Sequence, residues 1–194
     1  YHSSDFFATN NFHVRMNGIH ASDYWGFGQG WNTDVMVGGL YHNGNLAYHE
    51  NYGTGNFLQL GGGEPASGYV NPGENRKVYS SDINGKILPL SIGDPIPSIG
   101  FGINPNESYW SAESTELEFY PECYNIAITG YQNDLWKTTD GCNSFLQWKE
   151  FGTNDDDEIT YIEISRSNPD VIYVCQQQSS PSLGILWKTA DGGN

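Results

Sequence analysis

The chain states one pattern twice. DLWKTTDGCNSF, Asp134 to Phe145, and ILWKTADGGN, Ile185 to Asn194, each run from apolar and aromatic residues into a tight polar turn, with Asp140 and Asp191 51 residues apart. A period of about 20 to 50 residues marks repeated supersecondary units that bury a core only by stacking on one another. The flanking sequence repeats in the same order. From Ser114 it reads STELEFYPECYN, IAITGY, DLWKTTDGCNSF, LQWKEF; from Glu158 it reads EITYIEISRSNPD, VIYVCQQQ, GILWKTADGGN, with Pro121 or Pro169 in the first turn of each unit. Each unit reads as four short antiparallel strands.

The rest of the chain has the same rhythm. Gly or Pro interrupts almost every stretch that starts to place apolar residues at helical spacing. Runs such as DVMVGGLY, NLAYHE, RKVYSS, GKILPL and ITYIEIS are short and rich in β-branched and aromatic residues. HNGN, INGK, YQND and SNPD punctuate them as tight turns. The fold class is all-β. Asn32 to Glu64 supplies strands two to four of an earlier unit, Ala66 to Gly93 most of another, and Tyr1 to Phe12 a decayed strand and turn with Ser3 and Asp5 spaced like Thr138 and Asp140. The expected boundaries are the end of a preceding unit at 1–15, a unit at 16–62, a degenerate one at 63–103, a third at 104–152 and an incomplete one at 153–194. All belong to one domain, expected to be an interior segment of a longer chain that continues beyond both ends.

Composition narrows the partners. Eight basic residues against 23 acidic ones give a formal charge of −15, which repels nucleic acid phosphates and anionic membrane surfaces. No apolar run approaches the roughly 18 residues of a membrane span, and the first residues lack the basic and apolar pattern of a signal peptide. Only 16% of residues are charged, so solubility rests on neutral polar groups, a profile of secreted β-proteins. The three cysteines, Cys123, Cys142 and Cys175, form no CxxC pair and permit one disulfide and one free thiol.

TTDGCNSF, Thr138 to Phe145, resembles the Asp box, Ser/Thr-x-Asp-x-Gly-x-Ser/Thr-Trp/Phe, of bacterial-neuraminidase-type (BNR) repeats. Thr138, Asp140, Ser144 and Phe145 match, with Gly141 beside them, while Cys142 replaces the usual Gly; Thr189, Asp191 and Gly192 match in the second copy. The resemblance implies a partial β-propeller of four-stranded antiparallel blades, with the box as a structural hairpin between strands three and four. It extends to sortilin-like and BNR regions of very large secreted bacterial proteins, some exported by a type IX route. It therefore implies a non-catalytic extracellular scaffold or adhesion module that contacts protein or glycan at the cell surface, with self-assembly into a larger complex as a further expectation.

Propellers of this kind usually bind on the face formed by the two-to-three turns and the crossovers between blades. His42, Asn43, Ser81 to Asn84, Gln132, Asn133 and the QQQSSPS loop fall there, with Glu64, Trp110 and NDDDE from the crossovers. The same topology sets Cys123, in a one-to-two turn, and Cys142, in the three-to-four turn, at one end of one blade, where a disulfide is expected and Cys175 is left buried and reduced.

Other constellations are weaker. Asp155, Asp156 and Asp157 offer oxygen ligands for calcium but lack the spaced pattern of a calcium loop, so a solvated crossover is the expectation and no cofactor is required. His42 and His49 flank one hairpin, where a simple polar rim is the expectation and zinc the alternative. Trp25, Phe27 and Trp31 are read as core aromatics, with Trp110 as the one sugar platform. The rival reading is a glycoside hydrolase acting on polysaccharide through a carboxylate pair, for which Glu64, Asp94 and Asp157 are the candidates. A sialidase is disfavoured, because Arg15, Arg76 and Arg166 are the only arginines and none stands in that family's amino-terminal motif.

Overall fold

The computed structural model describes residues 2–3, 12–13, 24–40, 43–62, 68–79, 85–100 and 117–194. A short ribbon pairs β1 (His2–Ser3) with β2 (Phe12–His13). Four meandering antiparallel sheets follow in chain order. The first holds β3 (Tyr24–Gln29), β4 (Val35–Leu40), β5 (Gly44–His49) and β6 (Leu58–Gly61). The second holds β7 (Tyr69–Val70), β8 (Lys77–Tyr79), β9 (Gly85–Ile87) and β10 (Ser98–Ile99). The third holds β11 (Leu117–Phe119), β12 (Ala127–Tyr131), β13 (Asp134–Thr138) and β14 (Leu146–Glu150), and the fourth β15 (Glu158–Ile164), β16 (Ile172–Ser179) and β17 (Ser182–Thr189). Together they form a four-bladed β-propeller.

Alternation along the strands sends apolar side chains into the layers between blades. Val35, Val37, Ala47, Leu58 and Leu60 of blade one meet Val70, Val78 and Leu88 of blade two. Tyr79 and Ile99 of blade two meet Leu117, Ala127, Tyr131, Cys142 and Phe145 of blade three. Ile128 and Leu135 of blade three meet Ile159, Ile162, Ile164, Ile172 and Val174 of blade four. Among the described residues sheets two and three thus each contribute to two cores and sheets one and four to one each, the physical meaning of a repeat that buries its core by stacking.

The turn between strands one and two recurs in backbone detail. Tyr120 N–H donates to Ile126 O at 2.9 Å and Ile126 N–H to Cys123 O at 2.9 Å; Ser165 donates to Val171 and Val171 to Asn168, and Asn71 to Lys77 and Lys77 to Glu74, in the same pattern. The hairpins between strands three and four match in the same way. Cys142 and Gly193 both donate their N–H to the hydroxyl of a threonine four residues back, at 3.1 Å in each case. Both also hold positive φ, 67° and 82°, a region that favours glycine.

The expected Cys123–Cys142 disulfide does not form. All three cysteines are free. Cys123 is exposed in its turn, whereas Cys142 is fully buried in the layer against Tyr79, so its sulfur faces the neighbouring blade's core. Cys175 lies half-buried in β16.

Candidate functional site: the axial cavity

A cavity of about 560 Å³ opens among the first strands of blades one to three. Gly26 to Gln29 of β3, Gly68 to Val70 at β7, and Leu117 to Phe119 of β11 line its length. Its mouth is built from the one-to-two turns of all four blades: Trp31, then Pro72, then Glu122 and Tyr124, then Arg166. The volume lies within the range of small-molecule sites, about 300 to 1,000 Å³.

Glycine lets blades one and two close on each other beside it. A Cβ on Gly28 would stand 2.5 Å from Gly68 O, and one on Gly68 would stand 2.2 Å from Val37 O. Blades one and two therefore meet backbone to backbone at the axis, and any side chain there would force them apart.

Two buried asparagines from the sequence NPGEN hold the mouth together. Asn75 Oδ1 accepts the N–H groups of Asn32 and Thr33 at 2.8 and 2.9 Å, while its amide donates to Asn71 O and Pro72 O. Asn71 Oδ1 accepts from Gly73 and Glu74 within its own turn, and its amide donates to Tyr124 O at 3.0 Å. The turns of blades one, two and three are thus tied through one loop. Blade four joins by a different contact: the Arg166 guanidinium lies 4.9 Å from the centre of the Trp31 ring, within cation–π range.

Phe27 and Trp31 are 62% and 64% exposed, which corrects the expectation that they are core. Both sit on the cavity, so they present flat apolar faces beside the polar groups of Gln29, Glu122 and Arg166. The sequence contained the signal, a GFGQGW stretch alternating glycine with aromatic and polar residues, but its glycines hide the strand.

The residues expected on the opposite face fare differently. His42, Glu64 and Trp110 lie outside the described residues, as do Ser81 to Asn84. Asn43 is exposed in the β4–β5 turn. Asn133 is 2% exposed and its side-chain amide donates to Gly152 O at 3.1 Å, while its backbone carbonyl accepts from Phe151 N–H. It braces the start of the crossover and is not free to meet a ligand. Of the three aspartates, Asp155 and Asp156 are exposed and Asp157 is buried. Asp157 Oδ1 accepts from Asn154, Ser179 N–H and Ser179 Oγ at 2.9 to 3.1 Å, so it ties the crossover to β16. Among the described residues no group of three His, Cys, Asp or Glu side chains is arranged to hold a metal. His49 is buried, with Nδ1 accepting from Asn51 N–H at 3.1 Å. Asp94 lies in an exposed turn after β9, and neither it nor Asp157 lines the axial cavity.

The paired hairpins carry their polar groups inward on themselves. Thr138 Oγ1 donates to Asp140 Oδ1 at 2.8 Å, Asn143 and Ser144 N–H groups donate to the same oxygen at 3.0 Å, and Ser144 Oγ donates to Oδ2 at 2.7 Å. These donors, Ser144 Oγ foremost, hold the Asp140 carboxyl below its ordinary pKa. Asp191 is lowered in the same way, chiefly by Thr189. Phe145 closes the first hairpin, buried in the layer to blade two. Neither aspartate lines the axial cavity.

No family model matches the chain, and no curated protein matches it. The fold itself defines the class: a β-propeller whose central cavity is braced by neutral amides and lined by exposed aromatics.

Proposed function

We propose that the chain is a non-catalytic glycan-binding module of the Asp-box propeller kind, part of a large secreted or cell-surface protein, and that it takes its ligand in the axial cavity. The carrying observation is the exposure of Trp31 and Phe27 on a cavity whose other walls are Gln29, Glu122 and Arg166. A flat aromatic face packs on the C–H groups of a sugar ring, while amide, carboxylate and guanidinium groups meet its hydroxyls. The Thr138–Asp140 and Thr189–Asp191 hairpins support the Asp-box kinship, and the acidic, sparsely charged composition suits an extracellular protein. Glycan-array binding by the intact chain, abolished by Trp31→Ala without loss of fold, tests this. Binding that survives Trp31→Ala and Phe27→Ala together would refute the cavity as the site.

The rival reading, a polysaccharide-active glycosidase, draws on Glu118 and Glu122, which both line the cavity and offer a carboxylate pair. Release of reducing sugar, lost on Glu122→Gln, would favour it over binding alone.

A further inference from the structure

The walls of the axial cavity narrow the kind of glycan it takes, an inference that rests on the reading of that cavity as the binding site. Two carboxyl side chains, Glu118 and Glu122, line it against one guanidinium, Arg166. The balance inside is acidic, as it is for the whole chain at −15.

The turns at the mouth place these groups. In the matching turns that begin at Asn71, Tyr120 and Ser165, the next residue is Pro72, Pro121 or Arg166, and the one after it Gly73, Glu122 or Ser167. Of that last set only Glu122 holds positive φ, 61°, a backbone region that an L side chain adopts at a cost. The turn keeps an exposed carboxyl group on the cavity wall in spite of that cost. Gly73 has a different use. A Cβ there would stand 2.6 Å from the Tyr124 ring, so the bare glycine lets that ring lie against the turn, where the Asn71 amide holds Tyr124 O at 3.0 Å. Arg166 is already engaged, 4.9 Å from the centre of the Trp31 ring. The mouth thus holds one cation on an aromatic face, a contact that a ligand cation can repeat on Phe27 or Tyr124, which line the same space.

We infer that the cavity selects glycans bearing a protonated amine, that is, amino sugars that lack an N-acetyl group. The ammonium meets Glu118 and Glu122 in charge-assisted hydrogen bonds, and the aromatic faces take the C–H side of the ring while attracting the same charge. A neutral glycan gains the stacking alone. A uronic acid glycan brings its carboxylate to a site with two carboxyl groups and one guanidinium, in a chain whose field repels anions.

The test measures binding of three oligosaccharides of equal length to the intact chain by calorimetry, in a mildly acidic buffer that keeps the amine protonated: a glucosamine oligomer, its N-acetylated counterpart and a galacturonate oligomer. The glucosamine oligomer is expected to bind at least about tenfold more tightly than the N-acetylated one, the galacturonate oligomer most weakly, and the ratio of the first two to fall toward one in Glu118→Gln with Glu122→Gln. Glu122→Gln alone, at an exposed position, gives the same reading if the double variant does not fold. Equal binding of the first two, tighter binding of the galacturonate, or a preference that survives loss of the carboxylates overturns the amine selectivity and leaves the cavity reading standing. Glucosamine binding untouched by Trp31→Ala with Phe27→Ala, or no binding of any oligomer, overturns both; in the former case the attraction is to the acidic surface at large.

Discussion

Leu135 and Leu186 hold the same place in consecutive blades, yet one is 2% exposed and the other 65%. Leu135 lies in one core with Ile159, Ile162 and Ile164 of the next sheet; among the described residues no equivalent sheet covers Leu186. Truncation should therefore separate them. Leu135→Ala is expected to cost about 2 to 5 kcal/mol in a denaturant titration, and Leu186→Ala to stay within about 0.5 kcal/mol of the parent.

The thiols should divide by burial and not by pairing. Burial, foremost, pushes the Cys142 thiol up to about 12, and a thiol reagent needs the thiolate. At pH 8 under native conditions Cys123 is expected to react readily and Cys142 only after denaturant is added. Recovery of a Cys123–Cys142 peptide from a non-reducing digest would contradict the free pair.

Asp134 carries a penalty at neutral pH. Its Oδ1 is buried without a hydrogen-bond partner, its cross-strand neighbour is Glu150, and burial above all raises its pKa. The folded carboxyl thus keeps its proton to higher pH than the unfolded one, whose pKa is about 3.9. Stability falls as pH rises from the unfolded to the folded value and stays lower above it. Asp134→Asn is therefore expected to stabilise the protein at pH 7 by about 0.5 kcal/mol, the scale of a like-charged cross-strand pair. The gain should vanish in thermal melts below about pH 4.

Asn75 should matter more than its neutral side chain suggests. Asn75→Ala leaves the N–H groups of Asn32 and Thr33 without their acceptor and is expected to cost about 1 to 3 kcal/mol, read by urea unfolding. Asn75→Asp keeps the acceptor but turns a carboxylate oxygen toward the carbonyl oxygens of Asn71 and Pro72, so at neutral pH a loss at least as large is expected.

The repeat, the strand-rich class and the matched hairpins were legible because tight turns need particular residues and blades reuse them: Asp140 and Asp191 receive the same kind of contacts in both copies. The axial site was not legible for the opposite reason. β3 reads YWGFGQ, and glycine erases the alternation by which a strand is recognised. The roles of Asn71 and Asn75 depend on turns 42 to 53 residues distant in sequence, which no local pattern reveals. Cys142 misled because blade topology fixes which end of a sheet a residue occupies but not which way its side chain turns. Asn133 misled similarly: a turn position suggested exposure, but its amide was needed to satisfy the backbone at Gly152.

The brace formed by Asn71 and Asn75 contains no ionisable group. Its geometry therefore has no protonation state to lose and no charge for salt to screen. The mouth of the cavity can keep one shape in an acidic, saline or dilute medium, so changes in ligand affinity across such media would report on the ligand and on Glu122 and Arg166, while the frame around them stays constant.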